Sequence, residues 1–169
     1  MIDEDAFAHD EFLPYWAELW PAALSLVEAL PPGLEGARVV ELGCGLGLPS
    51  LVAAARGAHV TAVDWAPDAV ELLERNAARN RLAVRVERRD WRQPWDERFD
   101  LAIAADVLYE RRNVEPVLSR LRELAPAALV ALAGRPYEEA FLRAAGAVEE
   151  VAPRVVRLIR PTPNDVTEV

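Results

Sequence analysis

The sequence predicts an α/β fold with a mainly parallel sheet, and two observations lead to this prediction. Short apolar and β-branched runs alternate with helical patterns along most of the chain, which is typical of successive βαβ units. Near the end, two strand-like runs flank Pro153 and lie too close together for a helix between them. We therefore expect five parallel strands and a C-terminal antiparallel hairpin, with helices on both faces of the sheet.

Seven segments have the composition of strands, rich in valine and other apolar residues. The second segment ends in Asp64. The fourth is apolar apart from Asp100, as expected of a central strand that helices cover on both faces. In chain order, the predicted strands are residues 37–42, 59–64, 83–90, 99–105, 128–133, 147–151 and 154–159.

Five segments have helical patterns. The third has the clearest start, because Pro67 suits the first helical position and Asp68 and Glu71 suit the positively polarised first turn. Pro31-Pro32-Gly33 would end the first helix. The predicted helices are residues 16–30, 48–56, a segment that begins at 67, 114–125 and 136–145; residues 91–97 are predicted to form a loop.

Length and composition indicate one globular domain. The chain has 169 residues, of which 52% are hydrophobic and 28% are charged. We assign residues 1–169 to a single domain, with a helical cover over residues 1–33 and an α/β core over residues 37–161. The net charge of −9 opposes binding to a phosphate backbone, which needs clustered cations, so a large nucleic-acid partner is disfavoured.

Cysteine usage and hydropathy favour a cytoplasmic protein. Cys44 is the only cysteine, so the chain has no internal disulfide and fits a reducing compartment. No apolar run approaches the ~20 residues of a membrane span, and residues 1–5 are acidic, unlike a signal peptide. We expect no membrane partner, and a monomer or weak dimer. All 19 basic residues are arginine.

The strongest local motif is Glu41-Leu42-Gly43-Cys44-Gly45-Leu46-Gly47, which leaves a predicted strand and enters a predicted helix. Glycines there allow a tight turn and the close approach of a ligand. A dinucleotide fingerprint needs G-x-G-x-x-G, and Leu48 stands in place of its third glycine, so a nicotinamide dehydrogenase is disfavoured. The alternative is a tight glycine turn in another α/β protein. We predict that the cofactor site includes Glu41, Gly43, Cys44, Gly45 and Gly47.

Acidic and aromatic residues near the ends of neighbouring elements are expected at the same site. Asp64, which Trp65 follows, can accept hydrogen bonds from ribose hydroxyls, or it can cap the next helix. Asp90 precedes Trp91, whose indole offers a face for adenine or is a rim aromatic without a ligand. Trp20 is another candidate wall or a packing residue.

Asp106-Val107-Leu108-Tyr109 follows the fourth strand. In doubly wound sheets, ligands bind at the carboxyl ends of the strands, where the strand order reverses. The glycine loop and Asp106 would then face one crevice. The alternative is a capped strand end without a functional role.

These motifs resemble the seven-strand S-adenosylmethionine-dependent methyltransferases, in particular the family of lysine methyltransferases and nicotinamide N-methyltransferase-like proteins. The resemblance spans roughly residues 15 to 110 and implies a Rossmann-like methyltransferase sheet. Gly134-Arg135-Pro136-Tyr137 further resembles the branch that methylates the electron-transfer flavoprotein β subunit. Four features carry the family resemblance: Leu19-Trp20-Pro21-Ala22-Ala23, Val40 to Gly47, Asp90-Trp91 and Asp106-Val107-Leu108-Tyr109.

The resemblance implies S-adenosylmethionine as the cofactor and a lysine side chain of a partner protein as the methyl acceptor. Asp106, or the carbonyls beside it, would stabilise positive charge on the acceptor nitrogen, and Tyr109 would orient the amine. Because the chain has no lysine, such an enzyme could not methylate its own side chains. By resemblance, cofactor contacts fall on Trp20, Gly43, Cys44, Gly45, Asp64, Trp91 and Ala105.

Two other functional classes remain open. The first is a small-molecule or nucleic-acid base methyltransferase. Enzymes that methylate planar amide or base nitrogens often carry Asn/Asp-Pro-Pro-aromatic after strand four, where this chain has Val107-Leu108 instead of two prolines. That departure disfavours this class without excluding a small amine as acceptor. A cofactor-binding partner protein without activity is expected to have a blocked crevice or an incomplete loop. His9 and His59 are isolated, so no metal site is predicted.

Overall fold

A computed structural model of the chain describes residues 15–159. Within these residues, seven strands form one sheet: β1 (Arg38–Leu42), β2 (His59–Asp64), β3 (Val84–Arg88), β4 (Leu101–Ala105), β5 (Ala127–Ala131), β6 (Val148–Ala152) and β7 (Val155–Leu158). The strand order is β3-β2-β1-β4-β5-β7-β6. Strands β1 to β5 are parallel, and β7 pairs antiparallel with both β5 and β6. The predicted sheet of five parallel strands and a C-terminal hairpin is therefore confirmed.

The described part of the chain also contains five α-helices: α1 (Pro21–Ala29), α2 (Leu48–Ala55), α3 (Pro67–Asn80), α4 (Val114–Leu124) and α5 (Glu138–Ala145). The prediction that the first helix begins at Trp16 is wrong. Trp20 is extended, with φ −73° and ψ 140°, because a residue before proline is disfavoured in the helical region. The α-helix therefore begins at Pro21, and Trp16 belongs to a short 3₁₀-helix, Tyr15–Ala17.

Most other predicted bounds differ from the observed ones by one or two residues. The fourth strand begins at Leu101 instead of Phe99, because the Phe99 amide donates to the Leu124 carbonyl at 2.8 Å rather than to the sheet. The last helix begins at Glu138 instead of Pro136. The Glu138 carboxylate accepts hydrogen bonds from the amides of Ala133 and Gly134, which holds residues 133–137 in a turn.

The sheet is covered by helices on both faces. Val39 points to the face that packs against α1 and α2, and Val40 points to the face that packs against α4 and α5. Leu73 of α3 packs with Ala62 of β2. All four side chains are fully buried, so the alternation of side chains along each strand builds two apolar cores.

Residues 91–97 form a loop, as predicted, and this loop carries core side chains. Trp91 and Trp95 are each 6% exposed and pack with Phe99 against the α4 face of the sheet. The rings of Trp95 and Phe99 meet edge to face with centroids 6.2 Å apart. The two tryptophans thus bury apolar sheet surface between β3 and β4 without a helix.

Some predictions fall on residues that the structure does not describe. The acidic residues 1–5 and residues 160–161 of the predicted core lie outside the described range. Within residues 15–159, no helix has the length and hydropathy needed to cross a bilayer.

Candidate functional site

A crevice of about 290 Å³ lies at the carboxyl ends of the parallel strands, around the point where the strand order reverses between β1 and β4. This is the position expected for a ligand in an open α/β sheet. All of the predicted site residues line it. They are Trp20, Glu41, Gly43, Cys44, Gly45, Gly47, Asp64, Trp65, Asp90, Trp91, Ala105, Asp106 and Tyr109.

The glycine loop needs glycine for both backbone conformation and space. Gly43, Gly45 and Gly47 have φ values of +66°, +49° and +76°, which side chains disfavour. A Cβ atom on Gly43 would lie 2.9 Å from Val107 Cγ1. A Cβ atom on Gly45 would lie 3.2 Å from the carbonyl oxygen of Trp16, so the segment before α1 runs close to this loop. The loop therefore offers bare backbone to the crevice.

Glu41 ties the end of β1 to the first turn of α2. Its Oε2 accepts hydrogen bonds from the Ser50 amide at 3.0 Å and from Ser50 Oγ at 2.5 Å. This contact replaces a local cap, because Gly47 at the N-cap position has no side chain. Burial raises the pKa of Glu41 to about 8, and the nearby Asp64 charge adds to this effect although the Ser50 hydrogen bonds oppose it.

Asp64 holds the glycine loop from the end of β2. Its Oδ2 accepts a hydrogen bond from the Gly45 amide at 2.9 Å, and its Oδ1 accepts one from the Ala66 amide at 3.0 Å. Burial raises the pKa of Asp64, while these amide hydrogen bonds act in the opposite direction. Each carboxylate oxygen has capacity for a further donor, so a hydroxyl in the crevice could bind there.

Aromatic side chains line both the depth and the rim of the crevice. Trp91 is buried, and its carbonyl oxygen accepts a hydrogen bond from Nε of Arg120 at 2.8 Å, which anchors the segment after β3. Trp65 is 45% exposed and lies at the rim. Asp90 accepts a hydrogen bond from the Arg92 amide at 2.8 Å, so its carboxylate organises the turn that presents Trp91.

Asp106 at the end of β4 is paired with a cation. Its side chain is only 3% exposed. Its Oδ1 and Oδ2 accept hydrogen bonds from Nε and Nη2 of Arg135 at 2.7 and 2.6 Å. The Arg135 guanidinium also lies over the Trp20 ring, 5.2 Å from its centroid. Sequence reasoning expected Asp106 to face an acceptor amine and gave Arg135 no role, although Arg135 follows β5, the neighbour of β4.

Tyr109 is a hydrogen-bonding group rather than a base. Burial, the largest cause, together with the nearby acids Asp64 and Glu110, raises the pKa of Tyr109 to about 12, so its hydroxyl keeps its proton at neutral pH. The sequence also missed Trp16 and the ion pair between Glu110 and Arg112 at the crevice. Among the described residues, no cluster of three or more metal-ligating side chains is present.

The strand order and the glycine loop together define a Rossmann-like methyltransferase domain. A family model described as a methyltransferase domain matches residues 39–126, just over half of the chain. The chain therefore belongs to the methyltransferase domain family, which confirms the methyltransferase family that the sequence predicted.

Curated relatives of the chain include protein-lysine methyltransferases. Protein N-lysine methyltransferase METTL21A of Danio rerio is 36% identical over 128 residues, which cover 69% of this chain and 58% of the relative. Protein-lysine methyltransferase METTL21E of Bos taurus is 34% identical over 121 residues, which cover 62% of this chain and 41% of the relative. The chain thus spans about half the length of these relatives.

Solved methyltransferase structures share the fold. The 16S rRNA N2 G1207 methyltransferase RsmC of T. Thermophilus aligns with a TM-score of 0.68 at 23% identity, over 85% of this chain and 44% of that chain. Magnesium protoporphyrin IX methyltransferase of Synechocystis PCC 6803, with bound SAM, aligns with a TM-score of 0.65 at 21% identity, over 82% of this chain and 76% of that chain.

Proposed function

We propose that the protein transfers a methyl group from S-adenosylmethionine to an amine nitrogen, and that the acceptor is a lysine side chain of a partner protein. We choose an amine as the acceptor because of one observation. The Asp106 carboxylate and the Trp20 ring together bind the cationic side chain of Arg135 in the crevice. Carboxylates and aromatic faces are the groups that bind ammonium ions. The lysine methyltransferases among the curated relatives support the same choice.

The cofactor fits the residues on the donor side. S-adenosylmethionine, which the sequence predicted, is supported as the donor by the methyltransferase domain match, and structures that share the fold have SAM or SAH bound. The bare backbone of Gly43 and Gly45 leaves space that side chains would fill. In this proposal Asp64 accepts hydrogen bonds from the ribose hydroxyls. The remaining donor contacts are assigned to Trp20, Glu41, Cys44, Gly47, Trp65, Asp90, Trp91 and Ala105.

The acceptor side of the mechanism follows from the positions of Asp106 and Tyr109. When bound, S-adenosylmethionine supplies an electrophilic methyl group on a sulfonium. A lysine amine has an ordinary pKa near ~10.4, and desolvation in the crevice lowers it, which raises the share of the neutral nucleophile. Asp106 stabilises the positive charge that develops on nitrogen, and the Tyr109 hydroxyl orients the amine.

The proposal is tested with labelled S-adenosylmethionine and a lysate of the source organism. We expect the wild-type protein to label a protein band. Asp106→Asn should lower the rate by about 10²-fold, the usual loss when one electrostatic stabiliser is removed. Calorimetry should show that both proteins bind S-adenosylhomocysteine. A rate that Asp106→Asn leaves unchanged would remove Asp106 from the mechanism.

A matched control lies at the opposite end of the same strand. Asp100 precedes β4, and its carboxylate accepts a hydrogen bond from the Arg38 amide at 2.7 Å, outside the crevice. Asp100→Asn should therefore leave the labelling rate unchanged. An equal loss in both variants would indicate general destabilisation rather than a role in transfer.

The alternative acceptor is a small molecule. The chain is 33% identical over 108 residues to magnesium-protoporphyrin O-methyltransferase of Rhodobacter capsulatus, which favours this alternative. Label in the small-molecule fraction and none on protein would support it. A protein that binds S-adenosylhomocysteine but transfers no label to either fraction would instead be a binding partner without activity.

The cellular location, the oligomeric state and the branch of the methyltransferase family remain predictions. The single cysteine is compatible with a cytoplasmic location. The assignment to a single domain, the expected monomer or weak dimer, and the exclusion of large nucleic-acid and membrane partners rest on the sequence alone. The likeness to the electron-transfer flavoprotein branch rests on Gly134-Arg135-Pro136-Tyr137.

A further inference from the structure

The Asp106 carboxylate already holds a cation that belongs to the chain. Both of its oxygens bind one guanidinium, that of Arg135, at 2.7 and 2.6 Å. The same guanidinium lies over Trp20 at 5.2 Å. A carboxylate and an aromatic face can bind either cation, the guanidinium through two parallel hydrogen bonds and a lysine ammonium as a compact charge.

The two partners of this ion pair are held very differently. Asp106 has a φ of +52°, a strained conformation for a non-glycine residue that persists only where the surroundings impose it. Its amide donates to the Ala131 carbonyl at 3.1 Å, and its side chain is 3% exposed. Arg135 lies in the turn between β5 and α5, and its side chain is 30% exposed. The carboxylate is therefore the fixed partner, and the arginine is the one able to leave.

We propose that Arg135 occupies the position of the acceptor amine and that a substrate ammonium displaces it on binding. This inference rests on the proposed function, because it assumes that Asp106 binds the acceptor. Arg135 is then an internal competitor, which the substrate must replace at both hydrogen bonds and at the Trp20 ring. A free small amine offers no further contacts to offset this replacement. The arrangement therefore selects an amine that a larger ligand, such as a protein segment, brings to the crevice.

The absence of lysine from the chain makes a direct test possible. Arg135→Lys introduces the first side-chain amine into the protein. A lysine stem reaches about as far as the guanidinium carbon of arginine, so the new nitrogen can face both Asp106 oxygens. The substitution also keeps a positive charge opposite the buried carboxylate, whose loss of a partner would destabilise the fold.

We expect the Arg135→Lys variant to methylate itself when it is incubated with S-adenosylmethionine alone. The neutral amine, after its proton passes to water, forms a nitrogen–carbon bond while the carbon–sulfur bond of the donor breaks, and S-adenosylhomocysteine is released. Intact-mass and peptide mass spectrometry should detect one or more added methyl groups at position 135. The wild-type protein should gain none on its side chains.

The matched control places the same new amine outside the crevice. Arg143 on α5 is exposed and pairs with Glu139, so Arg143→Lys should stay unmethylated. Calorimetry with S-adenosylhomocysteine and thermal unfolding check that both variants fold and bind the donor product.

An Arg135→Lys variant that binds this product but gains no methyl group overturns the inference and leaves the proposed function standing. Failure of the wild-type protein to bind the product overturns both. Equal methylation of Arg143→Lys also overturns the inference, because methylation would then not depend on the position of the amine beside Asp106.

Discussion

Gly47 links the cofactor loop to the packed core. Its φ is +76°, and a methyl group on it would overlap the side chain of Leu73, coming within 2.6 Å of Cδ2. Leu73 is fully buried in α3 and cannot move aside freely. The close approach of α3 to the loop therefore depends on the missing side chain at this residue.

We predict that Gly47→Ala lowers the free energy of unfolding by about 1–3 kcal/mol through overpacking, in addition to the backbone cost, and weakens binding of S-adenosylhomocysteine. Gly36→Ala is the matched control. Its φ is +72°, but an added Cβ meets nothing within 4 Å, so it should show only the backbone cost of roughly 1–2 kcal/mol. Urea denaturation measures both free energies. Equal losses in the two variants would show that Leu73 adapts without cost.

The site residues that can be predicted from the sequence are those that belong to short motifs at the ends of strands. Gly43 and Asp64 stand at the ends of recognisable strands, and strand ends meet at one edge of a parallel sheet. The pairing of Asp106 with Arg135 joins two turns that are 29 positions apart. It depends on the neighbouring positions of β4 and β5 and on a particular arginine rotamer, neither of which a linear pattern contains.

At the scale of elements, the junction between β1 and α2 is stabilised by a buried acid and a hydroxyl. Ser50 is fully buried, and it donates to Glu41 through both its amide and its Oγ. Removal of the hydroxyl leaves the buried carboxyl with one donor fewer.

We predict that Ser50→Ala lowers the free energy of unfolding by about 1–3 kcal/mol, the cost of a lost hydrogen bond to a buried acid. Ser119→Ala is the control, because Ser119 Oγ donates to Glu123 at 3.3 Å on an exposed surface. Its effect should stay within about 0.5 kcal/mol. Chemical denaturation of both variants provides the comparison, and a Ser50→Ala protein as stable as the wild type would contradict it.

Element positions could be predicted better than element ends. Helix and strand periodicity is a local property, so the order of strands and helices follows from the sequence. The apolar pattern predicts that α1 begins at Trp16, which is too early, because Pro21 disfavours the helical conformation at Trp20. The core role of the loop with Trp91 and Trp95 could not be predicted, because it depends on how the loop folds back onto the sheet.

At the scale of the whole molecule, buried acids make stability depend on pH. Burial raises the pKa of Glu41 from 4.5 to about 8, and it raises the pKa of Asp64 as well. The folded protein therefore binds a proton at Glu41 more tightly than the unfolded chain does. The resulting stability is fully present below about pH 4.5 and is lost as the pH rises to about 8.

We predict that Glu41→Gln flattens the fall in the free energy of unfolding between pH 5 and 8, where one such proton contributes up to about 1.4 kcal/mol per pH unit. An excess of acidic residues, with a net charge of −9 in the wild type, adds repulsion in both proteins, so the difference between their pH profiles reports mainly on Glu41. Glu149→Gln is the control, because Glu149 is exposed and pairs with Arg157. Identical pH profiles for wild type and Glu41→Gln would show that Glu41 ionises normally.

The reversal of strand order between β1 and β4 has an evolutionary consequence. In the proposed function, the loops after β1, β2 and β3 carry most of the donor contacts, whereas the turns after β4 and β5 carry the groups that bind the acceptor or compete with it. During evolution, substitutions in the turns after β4 and β5 can therefore change the methyl acceptor without disturbing the donor site.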